Sequence, residues 1–70
     1  MDRSSPLRRL GQRIRYYRRK KGLTVAEAAE KYGNADQNWR RFERGENMTV
    51  ASLFKVAGVL QVEAWKLLKN

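Results

Sequence analysis

Residues 34–45 read NADQNWRRFERG, and their side chains divide into two chemistries. Placed on a helix at about 100° per residue, Trp39 and Phe42 fall together on one side. Gln37, Arg41 and Arg44 fall nearly opposite, with Arg40 at the flank. No member of the polar group is a nucleophile or a general base near neutrality; the chemistry on offer is recognition. The planar fork of Arg41 suits guanine O6 and N7, and it equally suits a phosphate or bulk solvent. The Gln37 amide matches adenine N6 and N7. Arg40 and Arg44 fit phosphates, which position a ligand without specifying it. Asp36 can accept from cytosine N4, favour the positive end of its own helix, or pair with Arg40 four residues on. Asn38 can touch a base or stay in solvent. Trp39 and Phe42 read as core, with base stacking as the alternative. Glu43 leans to the inner side, where a carboxylate needs a partner.

What surrounds this segment narrows its use. The chain has 70 residues, no histidine and no cysteine. Missing with them are the commonest general base, the commonest metal ligand, any disulfide and any thiolate metal site. No glycine-rich phosphate loop is present, so an enzyme, a cofactor, a metal site or a small-molecule ligand is not expected. Sixteen Lys and Arg against seven Asp and Glu give a net charge of +9. Such a balance attracts polyanions, nucleic acid first and anionic membrane surfaces second. No apolar run reaches the roughly 18 residues that span a bilayer, and MDRSSPLRRL lacks a signal peptide's apolar core. A cytoplasmic location is the default expectation, with no membrane partner. A 41% hydrophobic content is too high for a simple basic tail.

The elements that must hold the segment follow from spacing and caps. Residues 1–5 form a flexible basic arm and residues 6–70 one domain, a size that buries only about 60% of its unfolded surface. Ser5 and Pro6 start a helix in which Leu7, Leu10, Ile14 and Tyr17 recur, ending before Gly22. Thr24 and Glu27 form a capping box for VAEAAEKY, which ends at Gly33. Asn34 and Gln37 are spaced for a second capping box, opening a third helix that Gly45 closes. Thr49 caps a fourth helix carrying Val50, Leu53, Val56, Ala57 and Leu60. EAWKLLK makes a short fifth. No stretch alternates at period two, so the expected fold class is all-α, a compact bundle of five helices.

Helix, glycine, capped helix, glycine turn, helix is the grammar of a helix-turn-helix. The strings RIRYYRRKKGLTVAEAAEKYG, RRFERGEN and MTVASLFKVAGVLQVEAWKLL resemble the phage-repressor-like, or lambda-repressor-like, helix-turn-helix family, also called the Xre family. The resemblance runs from about Leu10 to Leu68. It rests on Ile14, Arg18, Gly22, Leu23, Thr24, Ala29, Gly33, Phe42, Glu43 and Gly45. It implies a protein whose third helix enters the major groove of double-stranded DNA. The family's base-reading positions fall on Ala35, Asp36, Gln37, Asn38 and Arg41. Its backbone contacts fall on Thr24 and Val25 at the start of helix two, and on Asn47 and Thr49 before helix four; Arg19, Arg40 and Arg44 join them as candidates. The resemblance also implies an ion pair between Arg18 and Glu43 that is structural.

Departures from the family pattern are concentrated at the interface. Val25 stands where a phosphate-contacting Gln is usual, and offers only its backbone N–H. Ala35 replaces the usual Ser or Thr cap. Ala28 and Trp39 replace a Leu and an Ile, which reads as a volume-conserving exchange in the core. Helix one carries Arg13, Arg15, Arg18, Arg19, Lys20 and Lys21. Such a run reads first as a solvated face; with Arg3, Arg8 and Arg9 in the arm, some of these cations can also supply phosphate contacts, and a minor-groove arm is an alternative. Trp65 sits where the family has a polar residue. It either folds onto the core or joins Val59 and Leu68 in a dimer patch. The implied function is a small prokaryotic, phage or plasmid transcriptional regulator, binding an inverted repeat as a homodimer. Rival readings are an antitoxin or adaptor with a protein partner such as a toxin, and a non-specific nucleic-acid binder. With 70 residues no separate ligand or catalytic domain is expected.

Overall fold

Five helices follow one another in the computed structural model, which describes residues 6–46 and 48–69: α1 Pro6–Lys20, α2 Val25–Tyr32, α3 Asp36–Glu43, α4 Val50–Leu60 and α5 Ala64–Leu68. No strand occurs among the described residues. The arm at residues 1–5, including Ser5 and Arg3, and the backbone candidate Asn47 lie outside the described residues. Arg8 and Arg9, read above with the arm, sit on α1.

Local signals start and stop these helices. The Thr24 hydroxyl accepts from Glu27 N–H at 3.0 Å, and the Glu27 carboxylate accepts from Thr24 N–H at 2.8 Å. This reciprocal box satisfies two of the donors that a helix start leaves orphaned. Gly33, at φ 91°, takes the left-handed conformation that ends α2, and its N–H returns to Ala29 and Glu30 carbonyls. Thr49 caps α4 by accepting from Ser52 N–H at 3.0 Å. The expected box at Asn34 and Gln37 does not form. Ala35 is the N-cap of α3 and supplies no side-chain bond. The Asn34 side-chain oxygen Oδ1 instead accepts from Asn38 Nδ2 at 2.6 Å and from Ala35 N–H at 3.0 Å. That double use holds Asn34 one residue outside the helix.

A single core joins the elements. Leu10 and Ile14 of α1, Ala28, Ala29 and Tyr32 of α2, Trp39 and Phe42 of α3, four residues of α4 and Leu67 of α5 form it. Tyr32, Trp39 and Phe42 meet edge to face with centroids 5.2–6.1 Å apart, the arrangement ring quadrupoles favour. Trp39 is completely buried. The Leu7 side chain is not part of the core face expected of it and lies exposed.

Backbone proximity fixes how α1 meets α3. A Cβ built on Gly11 would stand 2.4 Å from the Glu43 carbonyl oxygen, and one on Gly45 would stand 2.5 Å from the Leu7 carbonyl oxygen. Only glycine at both positions lets the start of α1 lie directly against the end of α3. Gly45 also holds φ at 81°, where a side chain is disfavoured.

Candidate nucleic-acid interface

The inner face of α3 is anchored by one carboxylate. Glu43 Oε2 accepts from Arg18 Nε at 2.5 Å and from the Trp39 indole Nε1–H at 2.7 Å. Glu43 Oε1 accepts from Arg18 Nη2 at 3.4 Å, and Arg18 Nη1 donates to the Leu23 carbonyl at 2.8 Å. The guanidinium thus ties α1, the turn into α2 and α3 together, and both charged side chains are only 11% exposed. Such a shielded pair is costly to break from either side.

With the inner face fixed, the outer face is determined. Asp36, Gln37, Arg40, Arg41 and Arg44 are all exposed. Among the described residues, no hydrogen-bond or ion-pair partner engages the side chains of Gln37, Arg40 or Arg41. The surface pair expected between Asp36 and Arg40 is absent, since the ion pairs among the described residues are Arg18–Glu43 and Arg44–Glu46. Arg44 Nε donates to Glu46 at 3.3 Å, with both side chains more than half exposed. Asn38 is half-buried, and its amide nitrogen donates to the Asn34 side-chain oxygen at 2.6 Å.

The positions flanking α3 differ in how free they are. Thr24 has its hydroxyl oxygen in the capping box. Thr49 is more committed: it accepts from Ser52 N–H and donates its own proton to Ser52 Oγ at 3.0 Å. Val25 is half-buried and lines a crevice of about 270 Å³ with Arg15, Arg18, Arg40, Glu43 and Arg44. Arg19 projects from α1 beside Gln12, Arg15, Tyr16 and Lys20. The α1 cations, alike in sequence, part company here. Arg13 turns to α5, donating to the Lys66 carbonyl at 3.3 Å while stacking 5.6 Å from the Tyr17 ring centroid. Arg15 faces the crevice.

On the far side, Trp65 is 56% exposed and Leu68 60%, whereas Val59 is half-buried. Trp65 does not fold onto the core. The Lys66 and Lys69 ammonium groups each lie 5.8 Å from its ring centroid. Two positions, Gly11 and Phe54, escaped the sequence reading, and so did the role of a third, Arg13. Gly11 carries a signal in retrospect, a glycine between two inward residues of a helix. Arg13 carries none that separates it from Arg15. Phe54, exposed on α4, is masked by the apolar positions around it.

A short helix set by a tight turn across a capped helix, its polar side outward and its aromatic side locked in the core, defines a helix-turn-helix domain. The helix-turn-helix domain family model matches residues 9–64, and the chain belongs to that family, in its phage-repressor-like or Xre branch. It is 41% identical over 63 residues to the HTH-type transcriptional regulator SinR of Bacillus licheniformis, covering 87% of this chain and 57% of that protein. The chain thus spans a little over half the length of the curated relatives it matches. The crystal structure of SinR, the master regulator for biofilm formation, in complex with DNA superposes with a TM-score of 0.76 at 40% identity, covering 86% of this chain and 98% of that one. The restriction-modification controller protein C.AhdI from Aeromonas hydrophila gives a TM-score of 0.81 at 32% identity, with coverage of 87% and 94%.

Proposed function

We propose that this chain is a sequence-specific double-stranded DNA-binding domain of a small prokaryotic, phage or plasmid transcriptional regulator. It is not an enzyme, and it acts in the cytoplasm as a homodimer on an inverted repeat. The observation that carries the reading is the outward side of α3. Gln37 and Arg41 stand exposed and unengaged, one helical turn apart, on a helix whose opposite face is immobilised by Trp39, Phe42 and Glu43. Rigid presentation of a donor–acceptor amide and a planar fork is what reading base edges in a major groove requires. Asp36 and Asn38 border these two and complete the set of base-contact candidates.

Around the reading pair, Arg40, Arg44, Arg19, Thr24 and the Val25 backbone supply the phosphate contacts that set register. Thr49 serves through its backbone, since its hydroxyl is spent. The relatives support the reading by their names: SinR is a transcriptional regulator solved with DNA, and C.AhdI is a controller protein. No helix among the described residues is long and apolar enough to cross a membrane. Two protomers related by a two-fold axis would offer two copies of α3 to half-sites about 34 Å apart.

Selection from a random duplex library tests the reading. Recovery of a palindromic sequence is the expected result. Equal affinity for selected and random duplexes at moderate salt would overturn it in favour of non-specific binding.

A further inference from the structure

Four arginines line the crevice beside Val25, and the fold spends them unequally. Arg18 is committed to Glu43 and to the Leu23 carbonyl, so the shielded part of the crevice is charge-compensated. Arg44 is shared with Glu46 in an exposed pair. Arg15 and Arg40 have no hydrogen-bond or ion-pair partner among the described residues. They come from different helices, α1 and α3, and both are exposed. Two guanidinium groups therefore border one hollow of about 270 Å³ whose acidic lining residue, Glu43, is already taken. Uncompensated like charges at one hollow raise the local concentration of anions.

We infer that Arg15 and Arg40 grip one backbone phosphate of the duplex between them, and that Arg15 is the anchor α1 contributes to DNA binding. This inference rests on the DNA reading above and adds a contact to it. A guanidinium presents parallel N–H donors that match phosphate oxygens two at a time. The neighbouring positions are poorer in donors. The Val25 side chain has none, the Thr24 oxygen sits in the capping box, and the Thr49 hydroxyl is spent on Ser52. Arg13, two residues before Arg15, is turned to the Lys66 carbonyl and is lost to this face.

The place of Arg15 also joins the two cationic regions of the surface. It lines the crevice with Arg40 and the adjoining hollow with Arg19, one turn further along α1. The basic strip is thus continuous from α3 onto α1. Arg40 shares its helix with Gln37 and Arg41, so a phosphate held from both sides of the α1–α3 junction is registered against the reading helix itself. Contacts to the backbone fix register in this way without carrying sequence information.

Duplexes of the sequence recovered by selection, each with one methylphosphonate in place of a charged phosphate, test the grip. They are titrated by fluorescence anisotropy with the intact chain and with Arg15→Gln, Arg40→Gln and Lys31→Gln. For the parent, one neutralised position in each half-site should weaken binding about ten-fold. That position should cost nothing further in Arg15→Gln or in Arg40→Gln. Arg15→Gln should also weaken every duplex alike, lower the salt dependence by about 0.9 in slope, and leave the melting temperature unchanged. Lys31, exposed on α2 outside the crevice, should be replaced without effect. An Arg15→Gln chain that binds as the parent does overturns the grip. So do Arg15→Gln and Arg40→Gln chains that silence different positions. Either result gives the crevice to solvent or to a carboxylate of a protein partner, and leaves the DNA reading standing. A parent that prefers no duplex overturns the DNA reading, and the grip with it.

Discussion

The indole N–H of Trp39 donates to Glu43 Oε2 across 2.7 Å, and that same oxygen receives the Arg18 guanidinium from α1 at 2.5 Å. A fully buried aromatic residue and a shielded ion pair therefore share one acceptor. The charge keeps α3 on α1, and the indole keeps the carboxylate in place. Glu43→Ala would strand Arg18, which is 9% exposed, and should cost about 3–5 kcal/mol in denaturant unfolding. Glu43→Gln retains an acceptor for Trp39 and should cost less. Equal losses for the two variants would show that charge alone matters and that the indole bond contributes nothing.

Two glycines inside helices should respond to alanine with opposite signs. Gly11→Ala forces a Cβ to within 2.4 Å of the Glu43 carbonyl oxygen. Backbone must separate from backbone, and about 1–3 kcal/mol of stability should be lost. Gly58→Ala meets no atom of its own chain and should stabilise dilute protein by about 0.5–1 kcal/mol. Thermal unfolding of both variants decides the matter; a stabilised Gly11→Ala would contradict the close approach of α1 and α3.

Ala28 and Trp39 are both completely buried in one cluster. If the pair is a volume-conserving exchange, Trp39→Ile alone leaves a cavity and removes one of the two donors on Glu43 Oε2, costing about 2–4 kcal/mol. Adding Ala28→Leu should recover part of that loss. A double variant no more stable than the single one would show that the two side chains do not share the same space.

At the outer face, the division between reading and holding can be measured on DNA. Arg41→Ala should relax preference at one base position, by about 1–3 kcal/mol of discrimination. Arg19→Ala should weaken all sequences alike and reduce the salt dependence by about 0.9 in slope. Uniform weakening by both variants would abolish the assignment of Arg41 to a base.

How much of this was legible in the sequence depends on the range of the interaction. Helix starts at Thr24 and Thr49 were readable, because a cap is settled within three residues. Asn34 carries the same local signal, yet its oxygen is taken by Asn38 and by the next N–H, a competition that spacing does not reveal. The split of residues 34–45 into an inner and an outer face followed from helical period alone. The sharing of Glu43 between Arg18 and Trp39 did not, since it depends on where α1 crosses α3. Arg13 and Arg15 look alike in the sequence, and only the position of α5 sends one to the Lys66 carbonyl and leaves the other beside the crevice. The Asp36–Arg40 pair was a fair local expectation, but an exposed pair is worth too little to hold two side chains together.

The bare backbone seam at Gly11 and Gly45 has a bearing on how a duplex would be read. At that seam the backbones of α1 and α3 meet with no side chain between them, and a shift of one there drags the other. A reading helix mounted so stiffly cannot tilt to suit an imperfect groove. On the proposed function the compliance must then come from the nucleic acid. Operators would be sorted by how cheaply their steps kink and twist, as well as by the edges that Gln37 and Arg41 touch. Sequence preference should accordingly extend to base pairs that no side chain of this protein reaches.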